Sequence, residues 1–433
     1  MEGLFAILLL LVLMGLGVPI AWSFAGVLAY LALVYDANFN TLMMQGFRSV
    51  DSVILIALPL FVLTGYLMQS GGIATRLVVF IETLVGKRRG GMGASLVLAS
   101  GIFGAIAGTA TAAVASIGTI MIGPLEQRGY PRGYSSALLG ISSLLGILIP
   151  PSITMILFAV VTRQSVAALF AATVGPALLL IIGLILVNRF ACGRLFQEVA
   201  GQESLTGAKP VTRTRASLNA FPALCLPVII LGGIYGGVFT PTEAAAVAAF
   251  AAIVIGFLVY RDQSLRSFYR SVIAASETTG SIILILLFSF MIGRILAAER
   301  VPQELTELIT LLISDPLLIL ITVNIFLILA GAMLDDVSVT VVIAPLFLPL
   351  MVQTGVDPVH YAAIVACSVV IGANSPPVAP ILYMACRIGR VSIHKTFSPA
   401  LMLIAVVGIP VMLITTFVPE LSLFLPRQLG FIR

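Results

Sequence analysis

Apolar runs long enough to form helices, separated by short polar loops, cover the chain from end to end. At about 20 residues per crossing, they predict roughly ten to twelve helical spans and no sizeable soluble domain. Two runs carry a proline pair near their middle, Pro150-Pro151 and Pro376-Pro377. A proline pair removes two backbone donors and clashes with the preceding turn, so no continuous helix passes through it. Two of the spans are therefore expected to be discontinuous.

The two pairs stand 226 residues apart. At that offset, residues 127–151 and 353–377 are identical at seven of 25 positions without a gap. The identities are Gln127/Gln353, Gly129/Gly355, Ala137/Ala363, Ser142/Ser368, Gly146/Gly372 and the prolines. Upstream, Gly65 and Gly293 are loosely matched, each followed by an amphipathic stretch at 72–86 and 303–314. The chain reads as one unit used twice. Paired helix breaks in two halves are the mark of a secondary transporter, with its site at the breaks.

Composition agrees. Of 433 residues, 60% are hydrophobic and 9% charged, against about 25% charged in soluble domains. Mean hydropathy is +1.16. The first residues lack a basic stretch and read as part of a first span, not as a cleaved signal. Pro19 leaves open whether one kinked span or two short ones follow. Cys192, Cys225, Cys367 and Cys386 form no CxxC pair and no disulfide framework. The net charge of +5 comes from basic loops and marks topology, not nucleic-acid binding.

Those loops orient the halves. Lys87, Arg88 and Arg89 precede the apolar stretch 90–124, and Arg128 and Arg132 follow it. A segment with two basic, cytoplasmic ends is a re-entrant hairpin or a pair of spans, with its tip at residues 107–111. The matching stretch 317–352 is flanked by Asp315 and Asp357 and is expected to open to the other side. The broken span 134–162, the spans 166–187, 218–235 and 242–260, and the basic loops after 187 and 260 keep this alternation. The second loop is read as holding Arg261, Arg266 and Arg270. The expected fold is an all-α polytopic membrane protein, an inverted repeat with two re-entrant helical hairpins and two discontinuous helices.

Tips and breaks leave backbone groups unpaired, tolerated in a membrane only where they line a cavity or bind something. Half-helix N-termini suit a carboxylate, and unwound carbonyls suit Na⁺. The first half offers Gly108, Thr109 and Thr111 at its tip, and Gly146, Pro150, Pro151, Ser152 and Thr154 at its break. The second offers Asp335, Asp336, Ser338 and Thr340, with Gly372, Asn374, Ser375 and Pro376. The Na⁺ candidates are Gly108, Thr109, Thr111, Gly146, Pro150, Asp335, Ser338, Gly372, Ser375 and Pro376. The substrate candidates are Thr111, Ser152, Thr340 and Asn374. Such hard oxygens fit alkali cations, not zinc or copper. Each hydroxyl has an equally simple role in helix packing, and a tip aspartate can merely cap a helix. A carboxylate deep in a span is nevertheless usually functional. Thr240, Pro241 and Glu243 read as a helix cap in a tight turn. No HExxH, GxSxG or phosphate-loop pattern is present, so the chain is neither such an enzyme nor itself an ATP-driven pump.

Residues 146–153, the Thr-Pro-Thr-Glu-Ala run from Thr240, and the spacing from Asp335 to Pro345 resemble the large membrane subunit of tripartite ATP-independent periplasmic (TRAP) transporters. The likeness runs over nearly the whole chain. It implies an elevator-type transporter of the bacterial inner membrane, in which a mobile domain moves against a scaffold. Scaffold helices and an amphipathic arm fall at 1–86, and the transport domain at 87–163 and 315–396. Further scaffold, the central loop and the second arm fall at 164–314, and a last span at 397–433. It also implies Na⁺-coupled uptake of an organic acid, a small four-span membrane subunit and a periplasmic substrate-binding protein, all within membrane lipid. Ala107 stands where the family often has serine, Asp336 where it often has proline, and Ala379 where it usually has glycine. Two rivals stay open: a stand-alone Na⁺/dicarboxylate- or gluconate-type permease, and an intramembrane enzyme using Asp335 and Asp336.

Overall fold

The computed structural model describes residues 2–86, 88–196, 198, 212–375 and 379–432. Every regular element among them is helical. The first half runs α1 (Glu2–Gly15), α2 (Ile20–Val34), α3 (Phe39–Val50), α4 (Ala57–Ser70), α5 (Ile73–Val85), α6 (Gly91–Ala107), α7 (Ala110–Gln127), α8 (Arg132–Ser143), α9 (Leu145–Leu148), α10 (Ile153–Thr162) and α11 (Val166–Arg194). The second runs α12 (Arg213–Tyr235), α13 (Pro241–Val254), α14 (Leu265–Ala298), α15 (Val301–Leu312), α16 (Pro316–Met333), α17 (Asp336–Ser338), α18 (Ala344–Gln353), α19 (Pro358–Gly372), α20 (Pro380–Gly389), α21 (Ile393–Leu403), α22 (Ile409–Phe417) and α23 (Glu420–Gln428). A π-helical turn at Val339–Ile343 joins α17 to α18.

The 226-residue offset carries α5 onto α15, α6 onto α16, α7 onto α17–α18, α8 onto α19 and α10 onto α20, with ends agreeing within two residues for most. It fails where the first half is interrupted. The single 34-residue α14 corresponds to two helices, α3 and α4, which a 3₁₀ turn at Val53–Ile56 separates. Pro59 near the start of α4 has no proline counterpart in α14. The carbonyl of Val53 in this gap accepts the Thr242 hydroxyl at 3.0 Å.

Pro19 separates two helices. Gly17, at φ +83°, makes the turn, and the rings of Phe5 and Tyr30 meet at 5.2 Å, so α1 and α2 run antiparallel. The cap at Thr240 forms as its sequence predicts: the Thr240 N–H donates to the Glu243 carboxylate at 2.8 Å, and the Glu243 N–H to the Thr240 hydroxyl at 3.3 Å. The basic loop after residue 260 is shorter than its sequence reads, because Arg266 and Arg270 already belong to α14. Ser264 caps that helix by accepting the Ser267 N–H, so the helix starts ahead of both arginines.

Eight helices among the described residues are long and apolar enough to cross a membrane, or nine if the bent α8–α10 pair is one span. This is fewer than the roughly ten to twelve that composition predicts at full crossing length. The reason is local: α2, α6 and α19 are apolar but short. Of these, α6 stops at a hairpin tip and α19 at a helix break. Around them, α5 lays Ile73, Leu77, Val78 and Ile81 inward, one face of a helix. Gly72, at φ +69°, lets the chain enter α5 close to Asp262, which pairs with Arg76 at 2.6 Å.

Candidate functional site

The first hairpin turns in two residues. Gly108 ends α6 in the left-handed region, at φ +67°. Thr109 is extended and caps α7, its hydroxyl accepting the Ala112 N–H at 3.4 Å. The break faces this tip. The Pro150-Pro151 bond is cis, and α8–α9 and α10 meet at a 44° bend. The Gly108 carbonyl accepts the Ile153 N–H at 3.2 Å. Ser152, fully buried, caps α10 by accepting the Met155 N–H at 3.5 Å.

Glycines let tip and break touch backbone to backbone. A Cβ on Gly104 would lie 2.6 Å from the Gly146 Cα, and one on Gly146 would lie 2.8 Å from the Thr109 carbonyl oxygen. Thr111 stands apart from this contact, exposed on the first turn of α7.

The second hairpin repeats the plan with different chemistry. Asp335 is extended at the tip between α16 and α17, and its carboxylate accepts the Ser338 hydroxyl. A Cβ on Gly372 would lie 2.7 Å from the Gly331 backbone. Past α19, the Ser375 hydroxyl donates to the Ile371 carbonyl at 2.7 Å. The chain re-enters helix at α20 through Ala379, at φ +45°. Pro376 and Pro377 lie outside the described residues. Asn374 and Thr340 are wholly buried, and the Asn374 amide and the Thr340 hydroxyl have no hydrogen-bond partner among the described residues.

The two halves also interlock. The Thr154 hydroxyl, on α10 of the first half, donates to the Asp336 carboxylate of the second tip at 2.8 Å. In return α20 packs against α7 and α8. The Asn374 side-chain oxygen sits 2.7 Å from where Gly140 of α8 would carry a Cβ. Reading each tip with its own break captures the backbone contacts in the first half but misses these crossings. Three glycines also escaped the sequence reading: Gly104, Gly331 and Gly140. For the first two a signal existed, since they lie one residue off the 226-residue offset and face the matched pair Gly146/Gly372.

The oxygens gathered here are carbonyls, hydroxyls and carboxylates. Among the described residues no cluster of three or more His, Cys, Asp or Glu could hold a metal ion. The Asp335 and Asp336 carboxylates take part in none of the ion pairs found among the described residues.

The family model of the tripartite ATP-independent periplasmic transporter, DctM component, matches residues 7–421. The chain belongs to this family. It is similar to the C4-dicarboxylate TRAP transporter large permease protein DctM of Pseudomonas aeruginosa, at 35% identity over 91% of each chain. It is similar to the sialic acid TRAP transporter large permease protein SiaM of Vibrio cholerae, at 32% identity over 95% of each. An isethionate TRAP transporter permease protein DctMQ of Oleidesulfovibrio alaskensis is 34% identical over 98% of the chain, which spans 65% of that relative's length. In structure the chain resembles the YdaH transporter of Alcanivorax borkumensis, with TM-score 0.62, 13% identity and 88% of each chain covered. That likeness bears on the fold alone. This DctM-family chain is thus a multi-pass transporter subunit and not an enzyme.

Proposed function

We propose that the chain is the transport subunit of a system that takes up an organic acid with Na⁺ as the coupling ion. The observation that carries this reading is the pair of tip–break junctions, each closed by facing glycines and each rich in hard oxygens. One Na⁺ would sit among the carbonyls and hydroxyls of Gly108, Thr109, Gly146 and Pro150. A second would sit with Asp335, Ser338, Gly372 and Ser375. The substrate would lie between the tips, near Ser152 and the unpartnered amide of Asn374, with Thr111 facing outward. The segments 87–163 and 315–396 would move as one body against a scaffold formed by the rest, in the elevator manner, in a bacterial inner membrane.

The named relatives transport C4-dicarboxylates, sialic acid and isethionate according to their names. An organic anion is therefore the substrate class proposed here. Delivery would fall to a periplasmic binding protein, with a small membrane subunit completing the complex.

The test is uptake in proteoliposomes holding the complex, with binding protein outside. Accumulation is expected only under an inward Na⁺ gradient. Uptake that ignores Na⁺ would sink the coupling, and uptake by this chain without a binding protein would make it a stand-alone permease.

A further inference from the structure

Asp336 brings a second carboxylate to the second tip, and among the described residues no basic side chain pairs with either of the two. An uncompensated charge in such a place calls for a counter-ion. Asp336 is only half-buried, but its sole side-chain donor among the described residues is Thr154, at 2.8 Å, from the other half of the chain. A hydroxyl whose proton is committed to a carboxylate turns its lone pairs the other way, free for a cation.

A second observation points to the same place. The Thr340 hydroxyl is wholly buried and has no partner among the described residues. Asp336 and Thr340 are four residues apart, so their side chains stand over one another on one helix face. Helix α10, which carries Thr154, packs against both α17 and the π-helical turn that holds Thr340. A buried hydroxyl without a partner costs free energy unless something fills its place.

We propose that Asp336, Thr154 and Thr340 form a further monovalent-cation site, distinct from the two tip–break junctions and shared by the two halves. Thr340 then serves an ion rather than the substrate. The ligands are one carboxylate and two hydroxyls, a hard-oxygen set suited to Na⁺. Because one ligand comes from α10 and two from the second hairpin, an ion there fastens the halves to each other. The choice of Na⁺ rests on the coupling proposed above.

The test counts ions. Radiolabelled Na⁺ binding is measured by equilibrium dialysis on the full chain in its membrane complex, for wild type, Asp336→Asn, Thr154→Val and Thr340→Val. The expected result is about one ion fewer per chain in Asp336→Asn, with that site weakened about tenfold by either valine, since ligand charge and number set such affinities. Thr154→Val is remote in sequence from Asp335, so its effect separates this site from the second junction. A wild type that binds no Na⁺ overturns the coupling and this site together. A wild type that binds Na⁺, with ion number and affinity unchanged in Asp336→Asn and in both valine variants, overturns this site alone.

Discussion

The first hairpin turns on Gly108 and Thr109 without a charge, whereas the second turns on two adjacent carboxylates. Their surroundings differ in the same sense. In α6 only Leu98 and Ile102 are not fully buried. In α16 a stripe of Leu317, Leu318, Ile321, Ile325 and Leu329 is exposed. The start of α6 is held from a distance, by the Glu198 carboxylate accepting the N–H groups of Gly90 at 2.5 Å and Met92 at 3.4 Å. The start of α16 is held locally, by Asp315 accepting the Leu317 N–H at 2.9 Å. One device has thus been built twice, once as a neutral, encased backbone junction and once as a charged junction with an open flank. The same topology leaves the choice of ligand chemistry free: the first tip uses carbonyls and a hydroxyl, and the second carries carboxylates.

The sharpest way to break this comparison is to add one methyl group to each hairpin. In Gly104→Ala the new carbon would meet backbone at 2.6 Å, and in Gly331→Ala at 3.4 Å. Overpacking against backbone costs about 3 kcal/mol at the upper end, so Gly104→Ala is expected to lose uptake and to lower the melting temperature markedly. Gly331→Ala is expected to keep both, with a cost under about 1 kcal/mol. Equal losses would remove the distinction between the two hairpin glycines, which differ although both glycine pairs approach equally closely.

Next in size is the charge itself. Asp335→Asn keeps the shape of the tip and removes its carboxylate. Na⁺-dependent uptake is expected to fall by about tenfold or more, with folding retained by size-exclusion chromatography. Unchanged Na⁺ dependence would leave Asp335 as a helix-start residue only.

A smaller effect is expected at the neutral tip. Thr109→Ala deletes the cap of α7 and costs about 1 kcal/mol of thermal stability, while Thr109→Ser retains it. The smallest concerns the remote cap. Glu198→Gln weakens the charge at the α6 N-terminus and should cost under about 1 kcal/mol, read as faster hydrogen exchange at residues 90–94 with none at the second hairpin.

Much of this fold was legible because it rests on local rules. The first tip falls inside the expected residues 107–111, since glycine followed by threonine ends one helix and begins another. The capping box at Thr240 and the break at Pro150 are equally local. The repeat made the second hairpin legible from the first. What could not be read depends on how the halves meet. Nothing near Thr154 in sequence announces Asp336, and nothing near Gly140 announces Asn374. The merging of α3 and α4 into a single α14 was hidden because the offset there preserves neither Pro59 nor Arg48. The span count was high because apolar length does not reveal where α6 or α19 stops.

The exchange between α10 and the second hairpin has a consequence for how the protein is made. Translation delivers the first half while residues 336–343 are still to be synthesised, and domains tend to fold in order of emergence. Until then Thr154 lacks its acceptor, and α7 and α8 lack the cover of α20. The first half is therefore a waiting intermediate rather than a finished unit, and its completion is postponed until the ribosome has passed the second set of breaks.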